Sequence, residues 1–157
     1  MAWYEHTEIG YNYRLSNVLA AVGRAQLSRL DGMIARRREM RRTYMERLAD
    51  LDVRFLGTAA DEGDEVENCW LTGIVLGDSI DLSPDDVVAG MNARDIEVRH
   101  LWKPMHLQPV FAGARSFVDG TSERLFRRGL TLPSGSEITD ADFERVVDAI
   151  HDVLTGA

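Results

Sequence analysis

The segment Val98–Pro109 holds the densest set of chemically capable side chains in this sequence. Its twelve residues follow a predicted strand and include four basic or potentially basic side chains, one tryptophan and two prolines: Arg99, His100, Trp102, Lys103, Pro104, His106 and Pro109. A rigid, aromatic and cationic loop suits an anionic, ring-bearing ligand such as a sugar phosphate or a nucleoside diphosphate. A loop with a purely structural role stays open as the alternative.

A second segment, Gly10–Asn17, places aromatic rings next to polar donors. Tyr11 and Tyr13 alternate with Asn12 and Arg14 just before a predicted helix. The N-terminus of a helix is a favourable place for an anion, because unpaired backbone N–H groups point outward there. The spacing therefore makes this segment a second candidate for contact with a phosphate.

Three other patterns are less informative. The arginine-rich stretch Arg36–Arg42 could bind nucleic acid or phosphate, but the net charge of the chain is −8 and no aromatic residue is interleaved with the arginines. These features favour the solvated face of a helix and predict no nucleic-acid partner. His100 and His106 are six residues apart with Pro104 between them, which fits neither helical nor strand spacing for a metal. Gly-rich phosphate loops and nucleophile elbows are absent from the sequence.

Cysteine and lysine are each represented once. Cys69 lies in an apolar stretch and is predicted to be a core residue; a single cysteine cannot form an internal disulfide, so a reduced, cytoplasmic location is expected. Of the 18 basic residues, only Lys103 is a lysine. Chemistry that needs a lysine amine must therefore use Lys103 or another chain.

The composition is that of a globular domain. The chain has 157 residues, of which 45% are hydrophobic and 28% charged, and this length fits one domain with an attached arm. No apolar run approaches the ~20 residues of a membrane helix, and the first six residues lack the features of a secretory signal. No membrane association is expected.

Residues 1–50 are expected to form an arm and one long helix. Met1–Leu15 lacks a helical or strand period and is predicted to be irregular. From the cap Ser16, apolar residues recur at three- and four-residue steps, which predicts a helix from Asn17 to Ala49, about 50 Å long. A domain of this size cannot cover such a helix. We expect part of it to pack against something outside this chain.

The remainder predicts a small α+β domain, with helices against a small sheet. The expected elements are a charged loop at 61–65, a strand at Asn68–Leu76, a helix from Pro84 to Asn92 capped by Ser83, a strand at Ile96–Leu101, a helix at Thr121–Gly129 with Leu125 and Phe126 buried, an extended piece at Leu130–Pro133, and a helix after Thr139 with Phe143, Val147, Ile150 and Leu154 on one face. The strand–helix–strand order predicts a crossover connection.

The order of the motifs resembles the DegT/DnrJ/StrS family of pyridoxal-phosphate-dependent aminotransferases, which act on nucleotide-linked keto-sugars. The resemblance is carried by Gly10–Asn17, Gln26-Leu27, the Arg36–Arg38 run, the loop Trp102–Pro109 and the stretch Leu130–Ser134. It implies the small C-terminal domain of a fold-type-I aminotransferase: an active-site arm at 1–15, a linking helix at 16–50 and the α+β domain at 51–157. The large domain, whose lysine binds the cofactor, is expected to be absent from this chain.

The resemblance also implies roles for individual residues. Asn12 would reach the pyridoxal phosphate of a neighbouring subunit in a homodimer, with Arg14 beside it. The nucleotide-sugar would contact Tyr11, Arg99, Trp102, Lys103 and His106. No catalytic residue is expected in this chain, which alone would be inactive. An amino-acid amino donor is implied as the second substrate.

Two details bear on the substrate and on the rival function. Leu101-Trp102 stands where many members have His-Tyr, so the substrate contacts are expected to differ. The sequence Trp102–His106 resembles enzymes that aminate 4-keto-6-deoxy-N-acetylhexosamines on uridine diphosphate. The alternative function, from a different class, is a non-catalytic domain that dimerises or binds a partner through its exposed long helix.

Overall fold

The secondary structure alternates helices with short strands, as seen in a computed structural model that describes residues 3–57 and 67–156. The elements are α1 (Asn17–Leu27), α2 (Leu30–Arg47), β1 (Val53–Phe55), β2 (Thr72–Leu76), α3 (Pro84–Asn92), β3 (Arg99–His100), α4 (Thr121–Arg128), β4 (Gly129–Leu132) and α5 (Asp140–Thr155), with 3₁₀ turns at Met105–Leu107 and Pro109–Phe111. The predicted α+β class is confirmed. The charged loop predicted at 61–65 lies outside the described residues.

The four strands form one antiparallel sheet in the order β1-β2-β4-β3. Ile74 of β2 is opposite Leu130 of β4, and Arg99 of β3 is opposite Thr131 of β4. Because β2 and β3 are both antiparallel to β4, they run in the same direction. The predicted crossover through α3 is therefore present, with β4 inserted between its two strands.

One face of the sheet packs against α2, α3 and α5. The buried apolar residues include Tyr44, Ile74, Val87 and Leu130, together with the predicted stripe on α5: Phe143, Val147, Ile150 and Leu154. Ser83 and Asp86 form a capping box at the start of α3, and Thr139 caps α5, both as predicted. The Tyr44 hydroxyl donates to the Pro133 carbonyl at 2.9 Å, and burial raises the pKa of Tyr44. The two caps fix where α3 and α5 begin, and the buried apolar residues hold the helices against the sheet.

Arg128, the last residue of α4, fixes the chain reversal after β2. Its guanidinium donates to four carbonyl oxygens, those of Leu76, Gly77, Ile80 and Leu82. A single side chain thereby bonds to four backbone acceptors at the end of β2 and in the loop after it.

The prediction of a single helix at Asn17–Ala49 is wrong, because two helices, α1 and α2, occupy this segment. At the junction, the N–H of Arg29 donates to the carbonyl of Gln26, three residues back, at 2.9 Å. The Ser28 hydroxyl donates to the Ala25 carbonyl at 2.9 Å, and such local side-chain bonds compete with helix continuation. α1 has no buried residue and exposes Val18 and Val22, so nothing in the described part of the chain covers it.

The strand predictions are too long. β2 begins at Thr72, not at Asn68, because Cys69 has a positive φ of 48° that ends an extended conformation. Cys69 is buried as predicted, but it lies before the strand. β3 has two residues and β1 was not predicted. In α4, Leu125 and Phe126 are half-buried rather than buried.

Within the described ranges, no helix combines the length and the apolar character that a membrane crossing requires.

Candidate functional site

The irregular arm lies along the Val98–Pro109 loop and is held there by backbone and side-chain hydrogen bonds. The His6 N–H donates to Oε1 of Gln108 at 2.9 Å, and the Val110 N–H donates to the His6 carbonyl at 3.1 Å. Gln108, only 3% exposed, also donates to the Lys103 carbonyl at 3.0 Å. Gln108 was not among the predicted site residues, because nothing in the residue pattern distinguishes a buried glutamine from an exposed one.

Lys103 is engaged by the arm. Its ammonium donates to the carboxylate of Glu5, which also accepts from Nε1 of Trp3 at 3.5 Å. Hydrogen bonding by Lys103, and then by Trp3, holds the pKa of the Glu5 carboxyl below its usual range. The exposed fractions of the two side chains are 17% for Lys103 and 22% for Glu5. The charge predicted to meet a ligand is thus balanced by a carboxylate of the same chain.

Arg99 is also paired, but it is half-exposed. Its guanidinium is 2.7 Å from Glu97 and bonds to the hydroxyl of Tyr4, whose ring centroid lies 5.7 Å from the guanidinium carbon. The arm therefore reaches both cations of the loop. A cavity of about 400 Å³ lies beside this contact, lined by Trp3, Tyr4, Arg99 and His100 among others.

The two histidines have separate partners. Nε2 of His100 lies 3.0 Å from Oδ1 of Asp85, and Nε2 of His106 lies 3.0 Å from Oε1 of Glu123. The His100 ring packs edge-on against Trp3, with ring centroids 5.5 Å apart. In the part of the chain that is described, no group of three or more His, Cys, Asp or Glu residues could hold a metal ion.

Two tryptophans form an aromatic surface next to the loop. The ring centroids of Trp70 and Trp102 are 6.0 Å apart, with 30° between the ring planes. More than half of each side chain's surface is exposed, 60% for Trp70 and 53% for Trp102. Trp102 was a predicted ligand contact, whereas Trp70 was missed because it stood within a predicted strand.

The other candidate segment is exposed and shaped by its own side chains. Oδ1 of Asn12 accepts the N–H of Arg14 at 2.7 Å, and Arg14 has a positive φ of 63°. Across the described ranges, no hydrogen bond uses Nδ2 of Asn12 or joins this segment to the loop. Tyr11 is 85% exposed. The structure brings Arg99 and Lys103 into contact with the arm and places Trp102 against Trp70. Within the described ranges, no hydrogen bond joins Tyr11, Asn12 or Arg14 to these residues.

The arginine-rich stretch on α2 is not a solvated face, so that interpretation is wrong. Arg36 pairs with Glu39 and Asp140, and Arg38 donates to the Glu67 carbonyl at 2.9 Å. Arg41 is buried and donates to Glu67 at 2.6 Å. These arginines attach α2 to its neighbours.

Comparison with known proteins gives one consistent result. Residues 1–151 match the model of the DegT/DnrJ/EryC1/StrS aminotransferase family. The chain is 43% identical over 152 residues to EpsN of Bacillus subtilis (strain 168), provisionally described as a pyridoxal phosphate-dependent aminotransferase, and 34% identical over 147 residues to GDP-perosamine synthase of Caulobacter vibrioides. A DegT DnrJ EryC1 StrS aminotransferase from Brucella abortus has the same fold, with a TM-score of 0.73 and 26% identity.

The matches cover nearly all of this chain and a smaller share of each relative. For EpsN the match spans 94% of this chain and 38% of the relative, and for the Caulobacter enzyme 93% and 39%. For the Brucella structure the coverage is 96% of this chain and 39% of that chain. The 157 residues thus span about two fifths of the length of these relatives.

Proposed function

The chain belongs to the DegT/DnrJ/EryC1/StrS aminotransferase family, and from this premise we propose that it forms the C-terminal part of a pyridoxal-phosphate-dependent aminotransferase of nucleotide-linked keto-sugars. Its fold is that of the small α+β domain of fold-type-I aminotransferases, as the solved relatives have it. The observation that carries the proposal is the 43% identity to EpsN across 94% of the chain. The names GDP-perosamine synthase and dTDP-3-amino-3,4,6-trideoxy-alpha-D-glucose transaminase among the relatives support nucleotide-sugars as the substrate class.

The residues of this chain fit the phosphate end of pyridoxal phosphate. Nδ2 of Asn12 is a free donor within the described part of the chain, while Oδ1 of the same side chain fixes the turn at Arg14. A guanidinium and an amide two residues apart can both donate to a phosphate. When bound, the cofactor supplies the chemistry of amino-group transfer, and the protein supplies binding and orientation.

The chain does not fit the aldehyde end of the cofactor. Its single lysine, Lys103, donates to Glu5 beneath the arm. We therefore propose that the cofactor lysine belongs to a large domain outside these 157 residues, and that this chain alone has no transaminase activity. Asn12 and Arg14 would act on the cofactor of the partner in a homodimer.

The nucleotide-sugar would meet a loop whose cations are already paired. A diphosphate approaching Lys103 or Arg99 competes with Glu5 and Glu97, since each carboxylate occupies donors that the phosphate needs. Trp102 and Tyr11 expose aromatic faces for a ring, and His106 is held by Glu123 at 3.0 Å. Binding at this loop would therefore displace the arm. The expected compartment of the enzyme is the cytoplasm.

A chimera tests the proposal. The large domain of EpsN is fused upstream of this chain, and amino-group transfer from glutamate is measured on uridine-, guanosine- and thymidine-diphosphate keto-sugars. We expect turnover by the chimera and none by the chain alone. A chimera that folds and retains pyridoxal phosphate but aminates none of these sugars would contradict the proposal.

One observation favours a second function. α1 has no buried residue, so it offers an apolar face to a partner whether or not a cofactor is bound. A non-catalytic partner-binding domain would use that face alone. The effect of Asn12→Ala on the pyridoxal phosphate absorbance of the chimera distinguishes the two functions. A domain that only binds a partner through α1 gives no reason for this substitution to change cofactor binding.

A further inference from the structure

One arginine of the Arg36–Arg38 run has no partner. Within the described ranges, Arg37 makes no ion pair, and its buried Nε atom has no hydrogen-bond partner. Its neighbours Arg36 and Arg38 are both bonded. A guanidinium nitrogen removed from water without a partner costs free energy, so an acceptor placed beside Arg37 would lower that cost.

Arg37 lies at the edge of a groove of about 290 Å³. The groove runs between α2 and the open side of the sheet, and its lining includes Arg37, Trp70, Glu97, Arg99, Thr131 and Pro133. Arg37 is one helical turn before the buried Arg41, so both side chains leave α2 on the side that packs on the domain. The unpaired guanidinium of Arg37 therefore lines a concave surface instead of lying in open solvent.

The charge in the groove favours an anion. Two guanidinium groups, Arg37 and Arg99, face one carboxylate, Glu97, which lies 2.7 Å from Arg99. The pair formed by Arg99 and Glu97 is internally balanced, so Arg37 carries the excess positive charge. Guanidinium groups bind phosphate through parallel N–H donors.

The aromatic surface begins in the same groove. Trp70 lines it and is 60% exposed, and Trp102 lies 6.0 Å from Trp70, centroid to centroid. Flat aromatic faces stack on nucleobases irrespective of sequence. A cation and a ring face in one groove match a ligand that carries both a phosphate and a planar base.

We propose that this groove binds a nucleoside diphosphate, with Arg37 donating to its phosphate oxygens and Trp70 lying against its base. This inference rests on the proposed function and assigns two residues, Arg37 and Trp70, to the nucleotide end of the substrate. Arg37 acts by direct contact with the ligand. Trp70 adds selectivity for nucleotides over inorganic anions.

Calorimetric titration of the chain with uridine diphosphate tests the assignment, with inorganic diphosphate and uridine as the partial ligands. We expect Arg37→Met to weaken uridine diphosphate binding about 10- to 100-fold. The matched control is Arg42→Met, which removes the same group from an exposed position on the same helix and should change the affinity less than twofold. Trp70→Leu should reduce the affinity to that of inorganic diphosphate.

Three results would overturn the inference. The first is the absence of saturable binding to the unsubstituted chain. The second is equal binding by the Arg37→Met and Arg42→Met variants. The third is equal affinity for inorganic diphosphate and uridine diphosphate, which would reduce the groove to a general anion site. Unfolding curves should show no loss of stability for Arg37→Met, because the side chain has no bond to lose and its buried, unpartnered nitrogen is removed.

The binding assay also separates this inference from the proposed function. It needs neither pyridoxal phosphate nor turnover. An active chimera whose Michaelis constant is unchanged by Arg37→Met would contradict the groove and leave the aminotransferase intact. Binding of uridine diphosphate by the chain, together with an inactive chimera, would support the groove and contradict the proposed function.

Discussion

The side-chain amide of Asn12 has an acceptor, Oδ1, and a donor, Nδ2, with separate roles, and substitution can distinguish the two roles. Asn12→Asp keeps the acceptor for the Arg14 N–H but replaces the amide donor by an anionic oxygen, whereas Asn12→Ala removes both. In the chimera we expect both variants to lose pyridoxal phosphate about 10- to 150-fold faster, since a hydrogen bond to a charged group contributes about 1.5–3 kcal/mol. Cofactor dissociation is followed by absorbance.

Mixing subunits tests whether Asn12 acts across the dimer. Dimers formed from Asn12→Ala subunits and subunits without the cofactor lysine would contain one site with both defects and one with neither. We expect partial recovery of activity. No recovery in dimers shown to exchange subunits would contradict the cross-subunit role, and a loss with Asn12→Ala but not Asn12→Asp would reduce Asn12 to a turn former.

Glu5 makes arm binding depend on pH. Because hydrogen bonding to Lys103 lowers the pKa of Glu5 in the folded state, the ionised carboxylate stabilises the bound arm at every pH above its ordinary pKa of about 4.3. That stabilisation is lost as the pH falls through the lowered value. The amide signal of Val110, which bonds to His6, should keep its neutral-pH position until the pH falls below the ordinary pKa of a glutamic acid side chain, and should then move.

Two substitutions serve as the control for this pH effect. Glu5→Gln should shift the Val110 signal already at neutral pH and remove the acid transition. Glu8→Gln, on an exposed residue of the same arm, should titrate as the unsubstituted chain does. An acid transition that persists in Glu5→Gln would assign the effect to another carboxyl group.

Among single residues, the residue types of the candidate site were easier to predict than the side chains that contact them. Arg99 and Lys103, which belong to one loop, both contact the arm, through Tyr4 and Glu5. The pairing of Trp102 with Trp70 and of Lys103 with Glu5 was not predictable, because these contacts span up to 98 positions in the chain and leave no local pattern. Gln108 was missed for the same reason, whereas Arg37 was considered with the Arg36–Arg38 run and assigned to a solvated helix face.

Among the elements, the loop after β2 depends on α4 through one side chain. Arg128→Met should destabilise the fold by about 2–4 kcal/mol, because several charge-assisted bonds to carbonyl oxygens are lost at once. The neighbouring Arg127→Met removes one exposed bond to Glu123, 3.3 Å long, and should cost less than about 1 kcal/mol. Urea unfolding measures both, and equal effects would contradict this role of Arg128.

Helix starts marked by a capping residue were predictable from sequence, and strand ends were not. Ser83 and Thr139 mark helix starts through bonds three residues away, which a sequence displays directly. Strands end where pairing ends, so the two residues of β3 are set by contact with β4. The turn at Ser28–Arg29 has no proline or glycine to announce it.

For the whole molecule, α1 predicts association. Its exposed residues Val18, Leu19 and Val22 lie on one side of the helix, and apolar patches of this kind find partners. We expect the chain to sediment as a species larger than a monomer at high concentration. Val22→Glu should shift it toward the monomer, and Asn17→Glu, on the opposite side of α1, should not. A monomeric parent chain would contradict the prediction.

The insertion of β4 between β2 and β3 sets the order in which the chain acquires structure. β2 and β3 have no bonds to each other and meet only through residues 129–132. During synthesis on the ribosome, neither β2 nor β3 can pair with β4 until β4 has left the exit tunnel. Only the β1–β2 pair can form before then. Since non-local pairing is slow, a ribosome pause before residue 129 would leave the sheet half-built and exposed to chaperones and proteases.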